Sequence, residues 1–106
     1  IMTKTKRLHL ALGVKNITDS VLDYKRRLGV SPEFVIKEEY ALFRTESLNL
    51  SIRQVKDSEL GLRHLGWESE HYEHFTEETD CNGFVWEHFN RAAQVNEIHE
   101  YWPNAY

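Results

Sequence analysis

The sequence predicts an α+β fold, and three observations lead there. Segments of strict two-residue alternation recur along the chain, two stretches carry helical periodicity instead, and the first of these stretches falls between strand-like segments. The resulting order is β-α-β-β-β, then a second strand-rich part and a closing helix. The chain has 106 residues, enough for a single domain.

"RLHLALGV" (7–14) opens the order. Leu8, Leu10, Leu12 and Val14 alternate with His9, Ala11 and Gly13, the period of a half-buried strand. "KNITDSVLDYKRRLGV" follows. Thr18 or Asp19 is the expected N-cap, Val21, Leu22, Tyr24, Lys25 and Leu28 form the stripe, and basic residues gather late, where the macrodipole favours them. Gly29 stands where a C′ glycine belongs, so a helix is expected over 18–28. "SPEFVIKEEYALFRTESLNLSIRQV" reads as strands over 33–37, 40–45 and 48–54, separated by "KEE" and "TES". "KDSELG" is a polar connector. "LRHLGWESE" (62–70) is a fifth strand, residues 71–82 read as an acidic loop or one helical turn, and "GFVWEHF" (83–89) is a sixth strand. "NRAAQVNEIHEYW" (90–102) fits a closing helix with Ala92, Val95, Ile98 and Trp102 on one stripe, stopped by Pro103. The H-x-A-x-G of the first strand and the H-x-G of the fifth form a weak internal repeat about 55 residues apart.

Composition narrows the function classes. No apolar run approaches the roughly 20 residues of a membrane span, and the start of the chain carries no signal-peptide core. The single cysteine, Cys81, excludes an intrachain disulfide, so a cytoplasmic setting is expected. The net charge of −4 divides into +4 over residues 1–57 and −8 over residues 58–106. The basic part lacks an aromatic-interleaved stripe and the acidic part repels phosphates, which argues against nucleic acid as a partner. There is no nucleophile elbow, phosphate loop or zinc-finger spacing.

The two strand histidines carry the functional signal. On each of their strands the large apolar residues lie on the opposite face, while Ala11, Gly13 and Gly66 leave room beside the imidazoles. Asn49, Ser51 and Arg53 form the polar face of the 48–54 segment and are the candidate substrate contacts, Arg53 as a bidentate grip on an anion. Glu87 shares a face with Val85 and Phe89. Two imidazoles and a carboxylate lining one concavity match the ligand set of non-haem iron(II) oxygenases, and the same set accepts Mn, Ni or Zn. His9, His64 and Glu87 are therefore the candidate ligands of a divalent metal ion. His71 and His74, beside Glu70, Glu73 and Glu77, read more simply as a solvated acidic turn, His88 and His99 as surface residues, and Cys81 as inert.

The chain also resembles the vicinal oxygen chelate superfamily of glyoxalases, bleomycin-resistance proteins and extradiol dioxygenases. "LHLALGVKNITDSVLDYKRRLGV" is similar to that family's first strand and helix, "YALFRTESLNLSI" to its third and fourth strands, "GLRHLGWESE" to the start of its second βαβββ module, and "DCNGFVWEHF" to its closing strand. The resemblance implies one glyoxalase-type module over about 7–55 and a truncated second one over about 61–106. It places His9, His64 and Glu87 on three metal-ligand positions and puts Asn49 near a fourth, where the family often has Glu. It implies a small metal-dependent enzyme whose substrate chelates the metal through vicinal oxygens, or a non-catalytic protein of the bleomycin-resistance kind that binds or sequesters a small molecule on a degenerate site. A homodimer is the expected assembly, because an open half-cup leaves strand edges unpaired.

Overall fold

The computed structural model describes residues 6–105. Its order is β1 (Lys6–Val14), α1 (Ile17–Leu28), β2 (Phe34–Ile36), β3 (Tyr40–Arg44), β4 (Leu48–Gln54), β5 (Gly61–Ser69), β6 (Thr76–Thr79), β7 (Val85–Phe89) and α2 (Arg91–Tyr101), an α+β arrangement. The strands form one mixed seven-stranded sheet in the order β2-β3-β4-β1-β5-β7-β6. β1 runs parallel to β4, β5 runs parallel to β7, and β1 and β5 meet antiparallel at the centre.

The alternation of β1 divides the two faces as the sequence predicts. Leu10 stands beside Leu50, which faces Phe43; Leu12 stands beside Ile52, which faces Ala41. These side chains meet Val21, Tyr24 and Leu28 of α1 in one apolar cluster with Val14 and Ile17. Leu22, expected on that stripe, is 66% exposed, because the helix turns it away from the sheet. On the opposite face Phe34, Tyr40 and Leu42 receive Ile98 and Val95 of α2, together with Trp102 and Ala105 just beyond it. Ala92 is exposed and does not belong to that stripe. α2 thus covers the face that carries His9.

Local chemistry corrects several boundaries. α1 begins one residue earlier than predicted, and its cap is Asn16, not Thr18 or Asp19. The Asn16 side chain accepts from the Asp19 backbone N–H, satisfying a donor that the helix leaves open. At the other end Gly29 takes a left-handed conformation (φ 73°) and closes on the Lys25 carbonyl. The connector after β4 holds a 3-10 turn, Asp57–Glu59. The larger correction is β6. Residues 76–79 form an exposed edge strand on β7 where a loop or helical turn is expected. "TEET" has no apolar alternation because neither face is buried, so period gives no signal there. A tight turn joins β6 to β7: Asp80 Oδ1 accepts from the Asn82 and Phe84 N–H groups.

Among the described residues no helix is long and apolar enough to cross a membrane.

Candidate metal centre

The central strands assemble the site by register. His9 of β1 faces Gly66 of β5, and Gly66 stands beside Glu87 of β7. His64, two residues before Gly66, faces Ala11. His9 and His64 are thus diagonal neighbours across an antiparallel pair, close enough for long side chains to meet. Gly66 lies in the row between His9 and Glu87 and puts no side chain between them; a methyl there would meet the Glu87 backbone.

Three ligand atoms converge over this gap. His9 Nε2 lies 3.1 Å from His64 Nε2, and His64 Nε2 lies 3.1 Å from Glu87 Oε1. One ligand atom from each of the three residues falls within 4.8 Å of the others. Ligands about 2.1 Å from a shared zinc ion stand roughly 3.0–3.4 Å apart at octahedral or tetrahedral angles, so the two 3.1 Å separations suit a common ion. His9 is buried, while His64 and Glu87 are about one-fifth exposed. Phe89 closes on the His9 ring edge to face, with centroids 4.9 Å apart.

The donor chemistry also suits a cation. His9 Nδ1 lies 2.9 Å from Asn49 Oδ1 and 3.2 Å from the Asn49 carbonyl oxygen. Asn49 Nδ2 donates to Glu68 Oε1 at 2.7 Å and to Gln94 Oε1 at 2.8 Å, which fixes Asn49 Oδ1 toward His9. A carboxylate accepts only, so the amide orientation follows, His9 Nδ1 carries the proton, and His9 Nε2 presents a lone pair. This hydrogen bond to the second ring nitrogen is the arrangement that orients metal-binding imidazoles. Burial holds the His9 pKa below its ordinary 6.5, against the raising effect of the hydrogen bond that His9 donates to Asn49 and with the nearby His64 adding to the fall, so the ring favours its neutral form.

Behind Asn49 lies a buried ion network. Glu68 is 2% exposed. Arg44 reaches it through Nε and Nη2 at 2.9 and 2.7 Å, and Arg7 through Nη1 at 3.2 Å. Burial would raise its pKa, but hydrogen bonds from Arg44 and Asn49 and the charges of Arg44 and Arg7 outweigh that and hold it below the ordinary 4.5. Glu33 joins Arg44 to Arg91 at the start of α2, so the same network ties the helix to the sheet.

The expected substrate contacts divide. Ser51 and Arg53 line a cavity of about 60 Å³ beneath α2, together with the three candidate ligands. Asn49 does not line it: the residue is fully buried, and its two donors and its acceptor oxygen are engaged by Glu68, Gln94 and His9. The structure therefore gives Asn49 the task of holding His9. Arg53 forms no ion pair among the described residues; its guanidinium lies over the rings of Tyr101 and Trp102. His71 and His74 are exposed and stand outside the ligand group. Glu68 and Gln94 are the residues that sequence reasoning missed. Glu68 shares the two-residue alternation of His64 and Gly66, which places it on their face, whereas nothing in the sequence of α2 points Gln94 at Asn49.

No protein-family model and no curated protein matches the chain. Among solved structures it is similar to one described as an NAD-dependent benzaldehyde dehydrogenase from Legionella pneumophila, with a TM-score of 0.53 and 16% identity over 78% of this chain and 97% of that one. At that identity the likeness is one of fold.

Proposed function

We propose that this chain is a small metal-dependent protein of the vicinal oxygen chelate type, in which His9, His64 and Glu87 hold a divalent ion such as Fe, Mn, Ni or Zn. The observation that carries the reading is the convergence of His9 Nε2, His64 Nε2 and Glu87 Oε1 at 3.1 Å steps, with His9 Nδ1 already committed to Asn49. The strand arrangement supports it. β1-α1-β2-β3-β4 with β1 beside a parallel β4 fits a βαβββ module, and β5-β6-β7 with β5 beside a parallel β7 fits a second module that has lost a helix and one strand.

A divalent ion at this place supplies Lewis acidity toward two neighbouring oxygens of a small substrate. The chain's own contribution is positional. Asn49 and Glu68 fix the His9 ring, Phe89 packs against it, and α2 lies over the site. A second reading, of a binding or sequestering protein without turnover, is favoured by that same coverage, since a cavity of about 60 Å³ under α2 leaves little room for a bulky substrate.

The test is metal per chain by elemental analysis on untagged protein prepared without chelator, beside His64→Ala. Near-stoichiometric metal in the wild type and its loss in the variant is the expected result. A wild type that stays empty after reconstitution with Fe, Mn, Ni and Zn overturns the proposal. Screening of the loaded protein against vicinal-oxygen compounds then separates turnover from binding alone.

A further inference from the structure

The arginines around the site fall into two sets. Arg7 and Arg44 pair with Glu68, and Arg44 and Arg91 pair with Glu33. Arg53 and Arg63 line the cavity that holds the candidate ligands, and neither forms an ion pair among the described residues. Arg53 Nε is buried with no hydrogen-bond partner. Arg91 Nη1 shares that condition, but the Arg91 guanidinium already holds Glu33. A buried donor left unmade is costly, and native structures rarely keep one without a use.

The Arg53 guanidinium is also held in place before any ligand arrives. Its central carbon lies 5.1 Å from the Tyr101 ring centre and 5.4 Å from that of Trp102. Cation–π contact makes no hydrogen bond, so the guanidinium N–H groups keep their capacity for a carboxylate. Charge points the same way. A divalent ion with Arg53 and Arg63 exceeds the two carboxylates of the cavity, Glu87 and Glu97, by two positive charges. An anionic ligand balances that excess, and a cavity of about 60 Å³ favours a ligand of few carbon atoms.

Resting on the metal-centre reading, we propose that the ligand is a small dianionic hydroxy- or oxo-acid: its vicinal oxygens face His9, His64 and Glu87, and its second carboxylate is taken by Arg53, with Arg63 at the mouth. This deepens the functional reading by naming a substrate class, because a neutral diol or diketone leaves the Arg53 fork unmade.

The probes are tartronate, which carries a chelating hydroxy-acid end and a second carboxylate, and glycolate, which carries only the chelating end. Each is titrated calorimetrically into the zinc-loaded and the metal-free 106-residue protein. Tartronate is expected to bind the zinc-loaded wild type at least about tenfold more tightly than glycolate, as a charge-assisted bidentate contact warrants. Arg53→Gln is expected to abolish that preference while zinc content and the circular dichroism spectrum hold. Arg53→Lys, which keeps the charge but loses the fork, is expected to restore only part of it. Should the Tyr101–Trp102 stack make Arg53→Gln unfold, Arg63→Gln at the exposed mouth gives the second reading, with a smaller loss of tartronate affinity. Equal affinity for the two acids, or a preference that survives both substitutions, overturns the inference and leaves the metal centre standing. A wild type that takes up no zinc overturns the metal reading instead. The metal-free titration then decides this one: Arg53-dependent tartronate binding supports it, and no binding overturns it.

Discussion

His9 and His64 present their Nε2 atoms to each other at 3.1 Å. The Asn49 contact leaves a lone pair on the His9 nitrogen, so the pair is held either by the proton of His64 or by a cation between them. That proton serves only one partner well, yet Glu87 Oε1 lies at the same 3.1 Å from the same His64 nitrogen. An ion satisfies all three at once. Metal binding is therefore expected to stabilise the fold by mass action, by about 2.7 kcal/mol at a hundredfold excess over Kd. For a domain of this size that is on the order of a 10 °C rise in melting temperature. Calorimetric scans with and without zinc check this; identical melting temperatures in fully refolded protein count against a shared ion.

Asn49 is the connection between this pair and the rest of the fold. Replacing it with Leu leaves His9 Nδ1 without its side-chain partner and removes the amide from Glu68 and Gln94. Each group left unsatisfied costs about 1–3 kcal/mol. Loss of such an orienting contact typically weakens metal binding by about 10- to 100-fold. Competition against a chromogenic chelator measures the affinity. A folded Asn49→Leu variant with unchanged affinity means that the His9 ring orients itself.

The strand faces were legible in the sequence because a buried face repeats every second residue. His9, Ala11 and Gly13, and likewise His64, Gly66 and Glu68, separate cleanly from the apolar partners between them, and the structure keeps these sets together. β6 was not legible, since an exposed edge strand has no buried face to impose a period. The cap at Asn16 was missed for a different reason. Thr18 and Asp19 are also good capping residues, and only the backbone geometry decides among neighbours of equal aptitude. The role of Asn49 depends on Gln94, 45 residues later, and no local pattern encodes a contact of that separation.

Glu68 makes acid stability a direct readout of the buried network. Its pKa is lowered in the fold, so its contribution is fully present above the ordinary carboxylate value of 4.5 and is lost as pH falls through the depressed folded value. Glu68→Gln is expected to destabilise the protein by about 3–5 kcal/mol near neutral pH, because Arg7 and Arg44 lose a buried counter-charge. The gap between wild type and variant is expected to narrow as pH falls below the ordinary carboxylate value of 4.5 and on through the depressed folded value, where the wild-type carboxyl takes up its proton. Urea denaturation at pH 7 and pH 3 tests both parts. A gap that stays constant across that range excludes the ionised carboxylate as the source of the stabilisation.

Gly66 is the residue whose absence of a side chain builds the site. A methyl group there collides with the Glu87 carbonyl oxygen and crowds the Glu87 backbone nitrogen, and these are backbone atoms that cannot swing aside. Gly66→Ala must therefore push β7 away from β5 and carry Glu87 off the His9–His64 pair. Overpacking of this kind costs about 1–3 kcal/mol. Gly13→Ala supplies the comparison. It also meets backbone, the Glu59 carbonyl oxygen, but this lies on the exposed connector before β5 and away from the three ligands. Both variants are expected to lose stability, and only Gly66→Ala is expected to lose metal affinity as well. Chemical denaturation and chelator competition on the two proteins separate the effects. Equal metal affinity in the two variants would show that the spacing of β5 and β7 does not set the position of Glu87.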